Sequence, residues 1–419
     1  MPFRIALSGL NAAAADLRVI GNNVANASTT GFKKSKTEFA DVYAASSTGA
    51  TTNSTGAGVK ISSIKQEFSQ GNIDFTNNNL DLAISGEGFF RLSDNGTTKY
   101  SRAGAFGVDR EGFVVNNENQ RLTGYLADAN GAITNSLGDI EMTTGRLDPS
   151  ATSQVTITAN LDSTETAPGV NFDRTDSSTY NHSTSLTTYD SLGNAIVQTM
   201  YYQKSAANTW NMYSYLTDPS GADIEMLPTG ASATTPPTPS VLTFTTSGSL
   251  STVVPGSSGI AGYQDAAITG SAAMNIGIDV SNLTQFGSTF GVDKLVQNGY
   301  EEGQLSGVEV SNDGIISARY TNGQSQSIAQ VAMARFSNPN GLTQLGDNTW
   351  AETAESGAAL AGTAGSSSLG LIQSGALEGS NVDLTEQLVN MITSQRNFQA
   401  NAKIIETADT VTQTILNIR

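Results

Sequence analysis

The chain has 419 residues, 38% of them hydrophobic and only 14% charged, and Gly, Ser, Thr, Asn and Ala make up most of the rest. That length and composition suit two to four turn-rich, mainly β domains rather than disorder. A net charge of −17 disfavours nucleic acid and anionic membranes as partners, and the lack of cysteine with a single histidine, His182, excludes disulfides, thiolate metal sites and multi-histidine metal sites.

The first predicted element is a helix. From Phe3 the small or apolar residues Leu7, Leu10, Ala14, Leu17, Gly21 and Val24 recur in steps of 4 and 3, a heptad seam. Pro2 suits a first helical turn. At 1.5 Å per residue the helix is about 33 Å long. The opening Met1-Pro2-Phe3-Arg4-Ile5 lacks a basic region followed by an apolar run, so no Sec-type signal is expected. No stretch approaches the roughly 18–20 apolar residues of a membrane span.

After the helix the period changes to strands and turns. Lys33, Lys34 and Lys36 form a basic cluster that reads as a solvated turn. Three loose segments, Ala44 to Gly58, Thr229 to Ser240 and Gly357 to Gly370, read as linkers or long loops. Gly86-Glu87-Gly88 has no third glycine and no following helix, so it reads as a turn before the strand Phe89 to Leu92. Asn95-Gly96, Asp313-Gly314 and Asn322-Gly323 are hairpin turn pairs. Strand-like runs include Val155 to Thr158, Thr199 to Tyr202 and Ile315 to Tyr320, and Phe336 and Trp350 read as core aromatics of a β domain. His182 reads as a solvated loop residue.

The last element is a second helix. Leu384, Leu388, Met391, Gln395, Phe398, Ala402 and Ile405 repeat the 4-3 spacing, and the stripe then moves to Ala408, Val411, Ile415 and Ile418. Ser380 with Asp383 reads as a capping box, and the helix is about 52 Å long. Neither helix can bury such a stripe alone. An intramolecular hairpin is one solution; pairing both within and between subunits is the other. The amides Gln387, Asn390, Asn397, Gln399, Asn401, Gln413 and Asn417, placed off the seam where charges are usual, favour the second. On that reading the order of both helices depends on assembly. Leu7, Leu10, Leu17, Val24, Leu384, Leu388, Met391, Phe398, Ile405, Val411 and Ile415 are then the candidate subunit-interface residues.

The run Asn22-Asn23-Val24-Ala25-Asn26-Ala27-Ser28-Thr29-Thr30-Gly31-Phe32-Lys33 closely resembles the N-terminal signature of the flagellar rod and hook axial proteins. Ala376 to Leu384, holding Asn381 and Asp383, followed by Met391 to Phe398, looks like the matching C-terminal signature. Rod and hook members share both ends. Tyr189-Asp190-Ser191-Leu192-Gly193-Asn194 leading into Tyr201-Tyr202, together with the length, resembles the extra outer domain of the hook members.

The resemblance implies a mixed α and mainly β fold. Long terminal helices would form a coiled-coil inner domain (1–32 and 372–419), followed by a linker region (33–70 and 357–371). Two nested, mainly antiparallel β domains would complete it: an inner one (71–146 and 285–356) and an inserted outer one (147–284). It implies a structural subunit that polymerises into a flexible, curved, hollow hook, with no catalytic residue, metal or cofactor. The implied partners are other copies of the chain, the distal rod protein, the hook cap protein, the hook–filament junction protein and the flagellar type III export apparatus. Its location would be extracellular, reached without a cleaved signal. A distal rod protein, a non-flagellar adhesin or binding module, and an extracellular enzyme on a β scaffold are the alternatives.

Overall fold

Both expected helices are present: α1 spans Pro2–Ala25 and α2 spans Leu384–Asn417. The computed structural model describes residues 2–42, 56–128, 131–142, 145–218, 220–232, 236–256, 259–266, 268, 270–366 and 368–417. Most of the expected loose segment from Ala44 to Gly58 lies outside them, as do Ile418 and the side chain of Ile415. Among the described residues, the regular secondary structure between the helices is all β apart from two single 3-10 turns, so the fold is mainly β with helices at the two ends.

Asp383 starts α2. Its Oδ1 accepts from the Thr385 amide at 2.8 Å and the Glu386 amide at 3.2 Å, which makes Asp383 itself the N-cap. The expected box with Ser380 is therefore corrected: Ser380 Oγ accepts from Val382 N at 3.3 Å, one turn too early to cap the helix.

The chain divides into two compact units. The first holds residues 1–144, 306–319 and 325–419. Its main sheet is built around strand Ser325–Arg335, which pairs antiparallel with Arg121–Ala127, Phe89–Asp94, Ile315–Tyr320 and Leu360–Thr363. Leu82, Ile84, Phe90, Leu122, Ile316 and Val331 fill the core on this sheet. A second cluster gathers Phe89, Tyr100, Phe336 and Trp350, with Phe89 and Trp350 edge-to-face at 5.7 Å. Asn95 and Gly96 both take positive φ, at 49° and 88°, and close the hairpin between Phe89–Asp94 and Thr97–Ser101 as their sequence signalled. The expected loop from Gly357 to Gly370 is interrupted by a strand: Leu360–Thr363 pairs antiparallel with Ala332 to Arg335.

Three two-stranded pairs complete this unit. Strand β1 (Ser35–Asp41) pairs with β2 (Val59–Gln66) beside α1. Leu371–Ser374 pairs with Leu82–Ser85, and Ala376–Glu378 pairs with Ile73–Phe75.

The second unit holds residues 145–305 and 320–324. Its strands His182–Tyr189, Ala195–Ala206, Thr209–Thr217 and Asp223–Pro228 run antiparallel in succession. Gln154–Asp162, Ile260–Ala266 and Met274–Asp279 extend the sheet, and Met200, Tyr202, Trp210, Leu216, Ile276 and Ile157 fill its core. The turn Asp190 to Asn194 is an Asx turn: buried Asp190 accepts from the Leu192 amide at 2.9 Å and the Asn194 amide at 2.8 Å, and Gly193 supplies φ +84°. His182 is corrected here. It lies in a strand, stacked on Phe290 at 4.4 Å and 6°, with its side chain only 14% exposed. Burial holds its imidazole below the ordinary pKa, against the pull of Glu165 and Asp162.

Candidate subunit-interface site

The helix pair is antiparallel, and its register is written in three polar contacts. Asn23 Nδ2 donates to Gln387 Oε1 at 3.1 Å, Ser394 Oγ donates to Asp16 Oδ2, and Asn401 sits against Gly9, where a Cβ would lie 2.6 Å from its Oδ1. Asn23, Asp16 and Gly9 are seven apart, and so are Gln387, Ser394 and Asn401. Between these layers lie the buried Ala13 and Ile20 of α1 and the half-buried Met391 and Phe398 of α2, and just beyond the Gly9–Asn401 layer lie the buried Ala6 and the half-buried Ile405. The inward face of α1 is therefore 6/9/13/16/20/23, one residue before the expected seam.

That offset corrects the faces. Gln387 and Asn401, expected off the seam, are on the side that meets α1. Phe3, Leu7, Leu384, Leu388 and Val411 of the expected stripes are exposed, joined by Val389, Ile392 and Ile404. Leu10, Leu17 and Val24 are half-buried. Apart from Ile20, Met391, Phe398 and Ile405, the pair thus meets through small and polar groups and leaves many of its large aliphatic side chains exposed. The helices do have something to pack on in a single chain, namely each other.

The signature asparagines and glycine act as joints. Asn23 is 1% exposed; its Nδ2 also donates to Ser35 O at 2.8 Å and its Oδ1 accepts from Ser35 N at 2.9 Å, which fixes β1 on α1. Asn26 N bonds back to Asn22 O at 3.1 Å and ends the helix. Gly31 takes φ +70°, and a Cβ there would lie 2.5 Å from Ala103 N, so only glycine fits. Phe32 is buried. Asn381 Oδ1 accepts from Lys34 N at 2.7 Å, and its Nδ2 donates to Glu67 O at 2.7 Å.

Lys33 overturns the expectation of a solvated turn. It is fully buried, and its Nζ donates to Glu378 Oε1 at 2.7 Å and Ser69 O at 2.7 Å. Arg102 Nη1 reaches Glu378 Oε2 at 3.2 Å, and its Nη2 donates to Gly86 O at 2.9 Å. Burial pushes both cations below their ordinary pKa while the carboxylate between them works the other way. Lys34, the next residue, is partly exposed and pairs with Glu67 at 3.2 Å and Glu386 at 3.4 Å. Sequence reasoning missed Glu378 and Arg102 entirely. The heptad spacing of Gln387, Ser394 and Asn401 was a readable signal; the ionic triad had none.

A polar groove of about 310 Å³ lies between α1, α2 and β1, lined by Asp16, Lys34, Lys36, Phe39, Glu386 and Asn390 among others. Among the described residues no cluster of three or more His, Asp or Glu could hold a metal ion, and no helix is long and apolar enough to cross a membrane.

Helices at both chain ends pair with each other, with a mainly β stretch between them in the sequence, and models of flagellar axial proteins match this chain segment by segment. Residues 3–33 match the flagella basal body rod protein model and 83–164 the flagellar hook protein FlgE/F/G D1 domain. Residues 160–300 match the flagellar basal body protein FlaE D2 domain, and 373–418 the C-terminal flagellar basal body rod FlgEFG model.

Over its whole length the chain is 39% identical to the flagellar hook protein FlgE of Salmonella typhimurium and 38% identical to that of Escherichia coli K12, with all of both chains covered in each case. It is 31% identical to the FlgE of Borreliella burgdorferi, covering 99% of this chain and 98% of that one. The chain belongs to the flagellar hook protein FlgE family. The crystal structure of Helicobacter pylori flagellar hook protein FlgE2 shares the fold, with a TM-score of 0.56 at 14% identity over 73% of this chain and all of that one.

Proposed function

We propose that this chain is the structural subunit of a bacterial flagellar hook. It polymerises through its helices into a hollow, flexible tube that passes motor torque to the filament and conducts exported subunits. The observation that carries the reading is the full-length match to hook proteins together with a helix pair that leaves many of its large aliphatic side chains exposed. A free face of that kind is stabilised by burial against neighbours. In the tube the helices form the coiled-coil inner domain, and the nested β domains lie at larger radius. Their Ser-, Thr- and Asn-rich surfaces suit small, wet, exchangeable contacts that let the tube bend as it turns.

The role is structural rather than catalytic; the chain's one imidazole is stacked on Phe290 rather than presented to a substrate. Partners on this reading are further copies of the chain, the distal rod protein below, the hook cap protein at the growing tip and the junction protein above. Delivery is by the flagellar type III export apparatus, without a cleaved signal, to the cell exterior. The test is electron microscopy of the purified protein under polymerising conditions and of cells expressing it. Short curved tubes are expected. Straight rigid tubes would make it a rod protein, and no tubes at all would end the axial reading.

A further inference from the structure

The buried ionic triad has no part in the interface as described, yet it sits where the helix pair joins the sheet. Glu378 closes strand Ala376–Glu378, shortly before α2 begins at Leu384. Its carboxylate faces three chain segments at once: Lys33 from the exit of α1, Arg102 from the sheet side, and Gly71 N, which donates to Oε1 at 2.8 Å. Its main-chain oxygen accepts from Gly31 N at 2.7 Å. Side-chain exposure is 0% for Lys33, 0% for Glu378 and 4% for Arg102.

Lys33 and Arg102 share the Glu378 carboxylate in a site closed to solvent, and Glu87 adds a second negative charge near Arg102. Well-packed apolar residues of the same volume are generally as stable or more so there, so stability alone does not account for the arrangement. What the ions add is direction. Each carboxylate oxygen is held by a different cation, and each cation is held in turn by a backbone carbonyl, Ser69 O for Lys33 and Gly86 O for Arg102. Charge-assisted bonds of fixed geometry restrain rotation about the joint in a way that apolar contacts do not. Both strands of chain that leave the sheet for the helices are pinned beside it, one by Gly31 and Lys33 and the other by Asn381 on Lys34 N.

We infer that Glu378 is a positioning residue: held between Lys33 and Arg102, it sets the direction in which the helix pair leaves the first β unit, and so presents the exposed helix faces at the angle that polymerisation requires. The inference rests on the hook reading for its consequence, but not for its geometry. The three residues come from the three matched segments 3–33, 83–164 and 373–418, so one contact ties the N-terminal, sheet and C-terminal parts together.

The chain has no cysteine, so two can be introduced without background. Spin labels at N95C on the hairpin tip and Q399C on the exposed side of α2, both in the full-length chain, report the helix direction as a distance distribution. The parent should give one narrow distance. E378Q should widen it about twofold or more while the near-ultraviolet signal of Trp350 keeps its melting transition. Because E378Q leaves two buried cations and could unfold the site, the triple variant K33M/R102M/E378M is measured beside it. It should fold, keep the wide distribution and lose tube formation about tenfold or more. A narrow distribution in the triple variant would overturn the inference, since packing alone would then fix the direction. Normal tubes from a widely distributed variant would overturn it as well. A labelled parent with a narrow distance but no tubes under any condition would instead defeat the hook reading and leave the positioning role supported by the distances.

Discussion

Asn23 and Gln387 lie 364 positions apart, and their side-chain amides meet at 3.1 Å in a buried contact. Asn23 uses both ends of its amide, since Ser35 N and O take the remaining bonds on the β1 side. Asn23→Ala therefore strands three partners at once, Gln387 in a buried contact and the two main-chain groups of Ser35 in part-buried ones. It should cost about 1–3 kcal/mol in the stability of this local region. Hydrogen exchange should show α1 and β1 losing protection together, while the strand Ser325–Arg335 keeps its protection. Loss confined to α1 would show that the amide does not couple the two.

Leu388 separates assembly from folding. It is 50% exposed in the single chain, whereas Met391 one turn on is half-buried beside α1. Leu388→Asp should leave circular dichroism and the melting temperature of the dilute monomer within the small range of a surface change, about ±0.5 kcal/mol. The same change should abolish tube formation, because an unpaired carboxylate is then buried between copies. Met391→Ala should do the reverse first, loosening the helix pair in the monomer by about 1–2 kcal/mol, at the low end for a half-buried site. Normal tubes from Leu388→Asp would remove the exposed face from the interface.

His182 gives the second unit a pH dependence. Its folded-state pKa lies below the ordinary 6.5, chiefly through burial. The unfolded state then binds the proton more readily, so the stability contribution is complete above 6.5 and is lost as pH falls towards and through the folded value. Between about pH 7.5 and 5, the protection factors of strand His182–Tyr189, taken against the intrinsic exchange rate at each pH, should fall, while those of strand Ser325–Arg335 of the first unit should change far less. His182→Phe, which keeps the stack on Phe290, should flatten that response. An unchanged slope in the variant would place the effect elsewhere.

Proteolysis should find the end of α2 first. With Gly9 opposite Asn401 and the pair antiparallel, α1 runs out before α2 does. The exposed Val411 to Thr414 lie beyond that point. Limited digestion of the dilute monomer, read by mass spectrometry, should trim α2 past about Ala408 and spare Asn381 to Asn401 for longer. Early cleavage within Leu384 to Ser394 would mean that the pair does not hold in the monomer.

The sequence by itself determined the elements whose cause is local. Steps of 4 and 3 marked both helices almost to their last residues, because helical periodicity is a property of neighbouring positions. Asn95-Gly96 marked its hairpin because the turn needs positive φ. The signature run from Asn22 to Lys33 pointed to the right family. What the tertiary structure decided was everything set by residues distant in the chain. The face of α1 that turns inward is one residue away from the apolar stripe, since α2 brings amides and a serine to it rather than leucines. His182 is packed because Phe290 lies under its strand. Lys33 is buried because Glu378, 345 positions away, comes to meet it with Arg102, and a lysine in a basic cluster after a Gly-Phe pair carries no trace of that partner. Periodicity fixes where a side chain points around its own helix; only the fold supplies what stands opposite.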